Sequence, residues 1–133
     1  MASRRAFLAA AGATVAAGVA GCSRAGDDAT VRTTDAFAFD PESPTVASGG
    51  TVTWTNESGV GHTVTAYERR IPDGADYFAS GGFGSEAAAR DDVEGGIVDP
   101  GETYETTLDA AGEYEYFCVP HEGSGMTGVV AVD

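Results

Sequence analysis

The chain has 133 residues and a formal net charge of −14, with 21 Asp and Glu against seven Arg and no Lys. A surface this acidic repels nucleic acid and anionic headgroups, which excludes nucleic-acid binding. The length suits one small domain with a real core, and two His, two Cys and two Met are all the soft or imidazole donors it holds.

Residues 1–21 read as a targeting segment and are set apart from the fold. Ser3-Arg4-Arg5-Ala6-Phe7-Leu8 resembles a twin-arginine signal. The Ala/Gly/Val run behind it is too short and too weakly apolar to span a bilayer, which takes about 20 apolar residues. A buried Ala-rich helix is the alternative, but the run has no polar face. Val19-Ala20-Gly21-Cys22 resembles a lipobox, which makes Cys22 the lipidated first residue of the mature chain. A chance Cys, or a disulfide to Cys118 that would consume its thiol, are the competing readings. Residues 22–29 then form a flexible tether without hydrophobic pattern. All the acids lie at or after Asp27, and losing Arg4 and Arg5 leaves five Arg against 21 acids, a charge of −16. The acids are dispersed rather than gathered in a tail. The pattern reads as a halophilic surface, whose self-repulsion high salt screens.

Residues 30–133 read as one all-β sandwich, from short alternating runs broken by Gly, Pro and Asp. Val31 to Phe39 is the first run, broken by Asp40-Pro41-Glu42-Ser43-Pro44. Thr45-Val46-Ala47 resumes it. In Thr51-Val52-Thr53-Trp54-Thr55, Val52 and Trp54 share one face and the three Thr the other, as in a half-buried strand. After a Gly-rich turn, alternation places His62 with Val64 on the core face, at the start of a strand. Residues 67–98 are long for a connection. Ser85 caps a short helix there, with Glu86 in its first turn, and Tyr77, Phe78 and Phe83 are expected to pin the segment to the sandwich. A decorated crossover is the favoured reading of this segment, and a partner-docking surface the other. Thr103 to Leu108 is the next strand. Tyr114, Tyr116 and Cys118 then fall in phase, which turns the Cys118 thiol inward.

The stretch Cys118-Val119-Pro120-His121-Glu122-Gly123-Ser124-Gly125-Met126 places a thiol, an imidazole and a thioether on one tight loop. Alone, each residue is more often packing than chemistry. The joint spacing, with His62 upstream, points to metal. Two His, one Cys and a weak axial Met form the ligand set of a blue-copper electron-transfer site. The expected metal ligands are therefore His62, Cys118, His121 and Met126, around one copper ion shuttling between Cu(I) and Cu(II). Pro120 stiffens the loop by fixing φ, and Gly123 and Gly125 are expected to let it turn back.

Tyr114-Glu115-Tyr116-Phe117-Cys118-Val119-Pro120-His121, running on to Gly125-Met126, resembles the copper loop of the plastocyanin-like cupredoxins, and among them the halocyanin group of halophilic archaea. Val52-Thr53-Trp54 and His62-Thr63-Val64 extend the resemblance, which covers about Val31 to Asp133. Thr63 departs from the pattern, where plastocyanins usually carry Asn. This bears on the side-chain bonding of the neighbouring loop and not on the ligand count.

The resemblance implies a Greek-key β-sandwich of the cupredoxin type with one short helix in a long crossover. It implies a membrane-tethered carrier of single electrons by outer-sphere transfer, and no enzyme. Protein donors and acceptors, such as respiratory membrane complexes or an oxidase, would be its partners. Export by a twin-arginine route would place a lipid-anchored monomer on the outer face of the cell membrane. A copper oxidase or nitrite reductase would need further imidazoles for a second copper, and the two His leave none. A copper store or delivery protein would favour exposed Met- or Cys-rich sites. The electron is expected to leave at His121, through an uncharged patch with Val60 and Pro120, bordered by Glu122.

Overall fold

The computed structural model describes residues 27–133. The stretch 1–21 read as a targeting segment, Cys22 read as a lipidation site, and the stretch up to Gly26 read as tether lie outside the described residues. Strand β1 (Ala29–Thr33) opens one residue inside the stretch read as tether. There follow β2 (Phe39–Asp40), β3 (Thr45–Val46), β4 (Gly50–Asn56), β5 (Thr65–Ala66), helix α1 (Glu86–Asp91), β6 (Thr103–Leu108), β7 (Gly112–Phe117) and β8 (Thr127–Val132).

Two four-stranded sheets form a sandwich, in the orders β2-β1-β4-β6 and β3-β8-β7-β5. The expected all-β sandwich with one short helix holds. The pairs β1–β4 and β3–β8 are parallel, and the others antiparallel. Strand β4 shows why the alternation was readable. Gly50, Val52, Trp54 and Asn56 are buried, and the three Thr between them are half-exposed. Its inner face meets β7 and β8 of the other sheet. Trp54 lies edge-on to Tyr116 at 5.2 Å between ring centroids, and Phe39 packs against Tyr116 at 4.7 Å. Tyr116 is admitted by Gly128 opposite it, where a Cβ would fall 2.6 Å from the phenol oxygen. Removing a ring such as Trp54 costs about 3–5 kcal/mol, so this cluster carries much of the stability.

The fold departs from the sequence reading in further places. Val31 to Phe39 is not one run: β1 ends at Thr33, a turn intervenes, and β2 begins at Phe39. His62 does not start a strand but forms an isolated bridge with Val98. His62 and Val64 are buried as alternation requires, but Thr63 and Thr65 are buried too. The ligand loop takes up Thr63, whose Oγ1 accepts from Val119 N–H, and the segment between β5 and β6 returns to cover the outer side at Thr65. Thr65 bridges Ala79, Ser80 N–H donates to Val64 O at 2.7 Å, and Ala66 N–H donates to Phe78 O at 3.1 Å.

That segment therefore completes a sheet edge that would otherwise stand open. Helix α1 begins as expected, with Ser85 Oγ accepting from Ala88 N–H at 3.1 Å. Phe78 enters the core and Tyr77 packs against it. Phe83 instead lies over Gly81, where a Cβ would come within 2.8 Å of its ring. Among the described residues no helix is long and apolar enough to cross a membrane.

Candidate metal centre

The centre sits at one end of the sandwich, where β7 runs out into the loop before β8. Tyr114 and Tyr116 point into the core, and period two carries the next inward position to Cys118, which is fully buried. Residues Val119–Ser124 form a 3-10 helix with Pro120 in its first turn. Gly125 ends it at φ 86°, its N–H donating to Glu122 O at 2.9 Å. The reversal falls on Gly125; Gly123, expected to share it, has no positive φ. Cys118 N–H donates to Met126 O at 3.1 Å, and Met126 N–H to His121 O at 3.3 Å. The loop thus closes on itself, with Met126 fully buried in the same cluster as Cys118.

His62 arrives from the other side. Its Nδ1 lies 3.7 Å from Cys118 Sγ, and His121 Nδ1 lies 3.3 Å from the same sulfur. The three donor atoms fall within 4.8 Å of one another. One thiol and two imidazoles are thus gathered around a common point, with the thioether-bearing Met126 buried beside them. That donor set suits a metal alternating between a soft and a borderline state.

Thr63 takes up both sides of the junction. Its backbone N–H points at Cys118 Sγ at 3.4 Å, and its Oγ1 accepts from Val119 N–H at 2.7 Å. A hydroxyl at this position therefore ties the His62 segment directly to the ligand loop. Ser58 and Asn56 fix His62 from behind. Ser58 Oγ–H is drawn by Asn56 Oδ1 at 2.7 Å and Val60 O at 2.9 Å, so Ser58 Oγ accepts from His62 Nε2–H at 2.9 Å. This network assigns the tautomer and leaves the Nδ1 lone pair facing the sulfur. Burial lowers the His62 pKa, His121 lowers it further, and a hydrogen bond to the Thr34 backbone and the charge of Asp35 raise it. The neutral, ligating imidazole is favoured. Burial pushes the Cys118 thiol up, against the pull of the Thr63 and His121 backbones. A cation at the sulfur reverses that preference by displacing the proton.

His121 is half-buried, and Phe37 covers one face of its ring. The two rings are stacked at 4.3 Å and 9°. Phe37 holds φ 57°, a left-handed conformation rare for a bulky residue. The turn before it holds it there: Phe37 N–H donates to Thr34 O at 3.1 Å, and Asp35 Oδ1 accepts from Gly59 N–H at 2.8 Å. Phe37, 38% exposed, and Val60, 42% exposed, are the large exposed hydrophobics among the described residues. Pro120 is exposed as well. Phe37 was missed because unbroken alternation from Val31 to Phe39 would turn it inward. The signal was Thr33-Thr34-Asp35, a cluster of turn formers inside the run.

Phe37→Gly should change stability by no more than about 1 kcal/mol. The lost stack, about 0.5–1.5 kcal/mol, is offset by relief of a conformation costing about 1–2 kcal/mol. Urea midpoints measure this, and a loss of about 3 kcal/mol would make Phe37 a core residue instead.

Glu122, expected to border the exit patch with its charge, is paired. It accepts from Arg90 Nη1 at 2.8 Å and from Tyr67 Oη–H at 2.6 Å. Arg90 holds its carboxyl below the ordinary range.

Residues 26–133 match the copper-binding proteins of the plastocyanin/azurin family. The plastocyanin of Scenedesmus fuscus is 39% identical over 97 residues, covering 73% of this chain and 88% of its own. A purple cupredoxin from Nitrosopumilus maritimus superposes with a TM-score of 0.58 at 21% identity, covering 80% of this chain and all of that one. A copper-containing nitrite reductase from Thermus scotoductus SA-01 gives 0.57 at 21% identity, covering 80% of this chain but 22% of the reductase. The chain belongs to the plastocyanin/azurin family of copper-binding proteins.

Proposed function

We propose that His62, Cys118, His121 and Met126 hold one copper ion and that the protein carries single electrons between redox partners. The gathering of the Cys118, His62 and His121 donor atoms within 4.8 Å is the observation that carries this reading. Plastocyanin-like cupredoxins are electron carriers that pass electrons to protein partners. Bound copper supplies the one-electron couple. The chain supplies a fixed cage. Asn56 and Ser58 hold the His62 ring, Thr63 ties the two ligand segments, and the core packs Cys118 and Met126. A cage that does not rearrange keeps the cost of changing oxidation state low. His121 is the proposed exit. It is half-buried, with Phe37 stacked on its ring. Exposed Val60 and Pro120 are the proposed rest of the patch, and the charge of Glu122, next in sequence, is paired.

The visible spectrum of the copper-loaded protein tests the centre. Oxidised protein should be intensely blue and should bleach reversibly with ascorbate. A colourless, air-stable Cu(I) form would favour storage and overturn the carrier reading.

The halocyanin kinship, the halophilic setting and the membrane tether belong to this proposal. Its support is the copper-loop resemblance, the dispersed acids and the Val19-Ala20-Gly21-Cys22 motif. Twin-arginine export would leave the carrier lipid-anchored at Cys22 on the outer membrane face, exchanging electrons with respiratory complexes or an oxidase. One acyl chain binds only marginally, so a dual-chain lipid is expected. Mass spectrometry of the protein from its native membrane should find a modified Cys22 as the first residue. An unmodified N-terminus beyond Cys22 would refute the anchor.

A further inference from the structure

Helix α1 lies in the crossover between β5 and β6, and one of its side chains reaches the ligand loop. Arg90, in its last turn, donates Nη1 to Glu122 Oε1 at 2.8 Å and Nη2 to Glu122 Oε2 at 3.3 Å. This is a forked pairing, the stronger kind of ion pair. The same guanidinium donates through Nε to Glu86 Oε2 at 2.8 Å, one turn back on the helix. Its carbon sits 4.3 Å from the centre of the Phe117 ring. Tyr67 closes the assembly. Its hydroxyl donates to Glu122 Oε2 at 2.6 Å, and its ring stacks on Phe117 at 4.3 Å. Phe117 and Glu122 flank Cys118 and His121 in sequence. Arg90 and Tyr67 thus grip the ligand loop on either side of Cys118 and His121, through Phe117 and through Glu122.

We infer that Arg90 is a positioning residue: through Glu122 and Phe117 it braces the 3-10 helix on which His121 rides, and so keeps the proposed copper cage from relaxing when its charge changes. Isolated surface ion pairs contribute little. This one is forked, shared between two carboxylates and seated on an aromatic ring, so it acts as a network. Lys cannot reproduce it, because an ammonium has no planar fork and stacks poorly. The inference rests on the proposed ligand role of His121, but the brace itself can be measured without copper.

The test is amide hydrogen exchange on the folded full chain, with chelator and again copper-loaded. Arg90→Met keeps the apolar stem over Phe117 and removes both pairings. In the chelated protein it should speed exchange at His121, Gly125 and Met126 by about three- to tenfold, the equivalent of one modest ion-pair network. Val52 and Tyr114, deep in the sheets, should be unchanged. Tyr67→Phe, which keeps the stack and loses one hydrogen bond, should speed the same amides less. In the copper-loaded protein, Arg90→Met should stay blue while electron self-exchange slows several-fold. Unchanged loop amides would overturn the brace, as would equal acceleration everywhere. Faster loop amides with unaltered self-exchange would overturn the link to electron transfer. A wild type that never turns blue would sink the copper reading alone, since the chelated measurement still decides the brace.

Discussion

Cys118→Ser should abolish the strong visible band of the copper-loaded protein while the sandwich still folds. The band comes from charge transfer between a thiolate and Cu(II), and a hydroxyl at Cys118 supplies no such donor. The fold survives because Ser is close to isosteric and Thr63 N–H still finds an acceptor where it now meets the sulfur at 3.4 Å. The penalty is one buried hydroxyl, about 1–3 kcal/mol. Absorption and circular dichroism on one sample separate the two effects. A Cys118→Ser protein that stayed blue would disprove the ligand assignment.

The second large effect is expected at Asn56, which touches none of the four proposed ligands. Asn56 is buried at the end of β4, and its side chain is fully engaged. Nδ2 donates to Val60 O at 2.7 Å and to Val98 O at 2.9 Å. Oδ1 accepts from Thr33 Oγ1–H at 3.0 Å and from Ser58 N–H at 2.9 Å. One amide thus joins β1, β4, the turn before His62 and the strand-like segment at Val98. Asn56→Leu leaves several buried groups without partners. At about 1–3 kcal/mol for each unsatisfied group, partly relieved by relaxation, a loss of about 3–5 kcal/mol is expected. Denaturant unfolding measures it, and a loss under about 1 kcal/mol would show that water replaces the amide. Ser58 would lose its orientation as well, and with it the fixed tautomer of His62.

How far the sequence was readable depended on whether each residue's surroundings were local. Trp54 and Cys118 were placed by period two, because each lies on or just beyond a strand with one buried face. The cap at Ser85 was readable for the same reason, since its partner Ala88 is three residues away. Thr63 and Thr65 were not, because their partners are distant in the chain: Val119 of the ligand loop for Thr63, and for Thr65 a segment that leaves and returns at Ala79. Phe37 escaped because one residue at φ 57° breaks the phase of an alternating run. Asn56 sits among turn formers, and a buried Asn holding four segments has the same local sequence as an exposed one. Arg90 and Glu122 are 32 residues apart and meet only in the fold. The donor set was legible because the chain holds so few candidates.

The placement of the donors also bears on the denatured chain. Cys118, His121 and Met126 fall within a single short loop, whereas His62 and Cys118 are 56 residues apart. Unfolding separates His62 but leaves the other three side by side, able to chelate copper as a peptide does. Any affinity of the unfolded chain for the metal subtracts from the stabilisation that the native affinity would confer. Copper should therefore raise the melting temperature by less than its native dissociation constant implies, and should stay with the chain after the sandwich has melted. His62→Ala would narrow the difference further, since native and denatured chains would then offer nearly the same three donors.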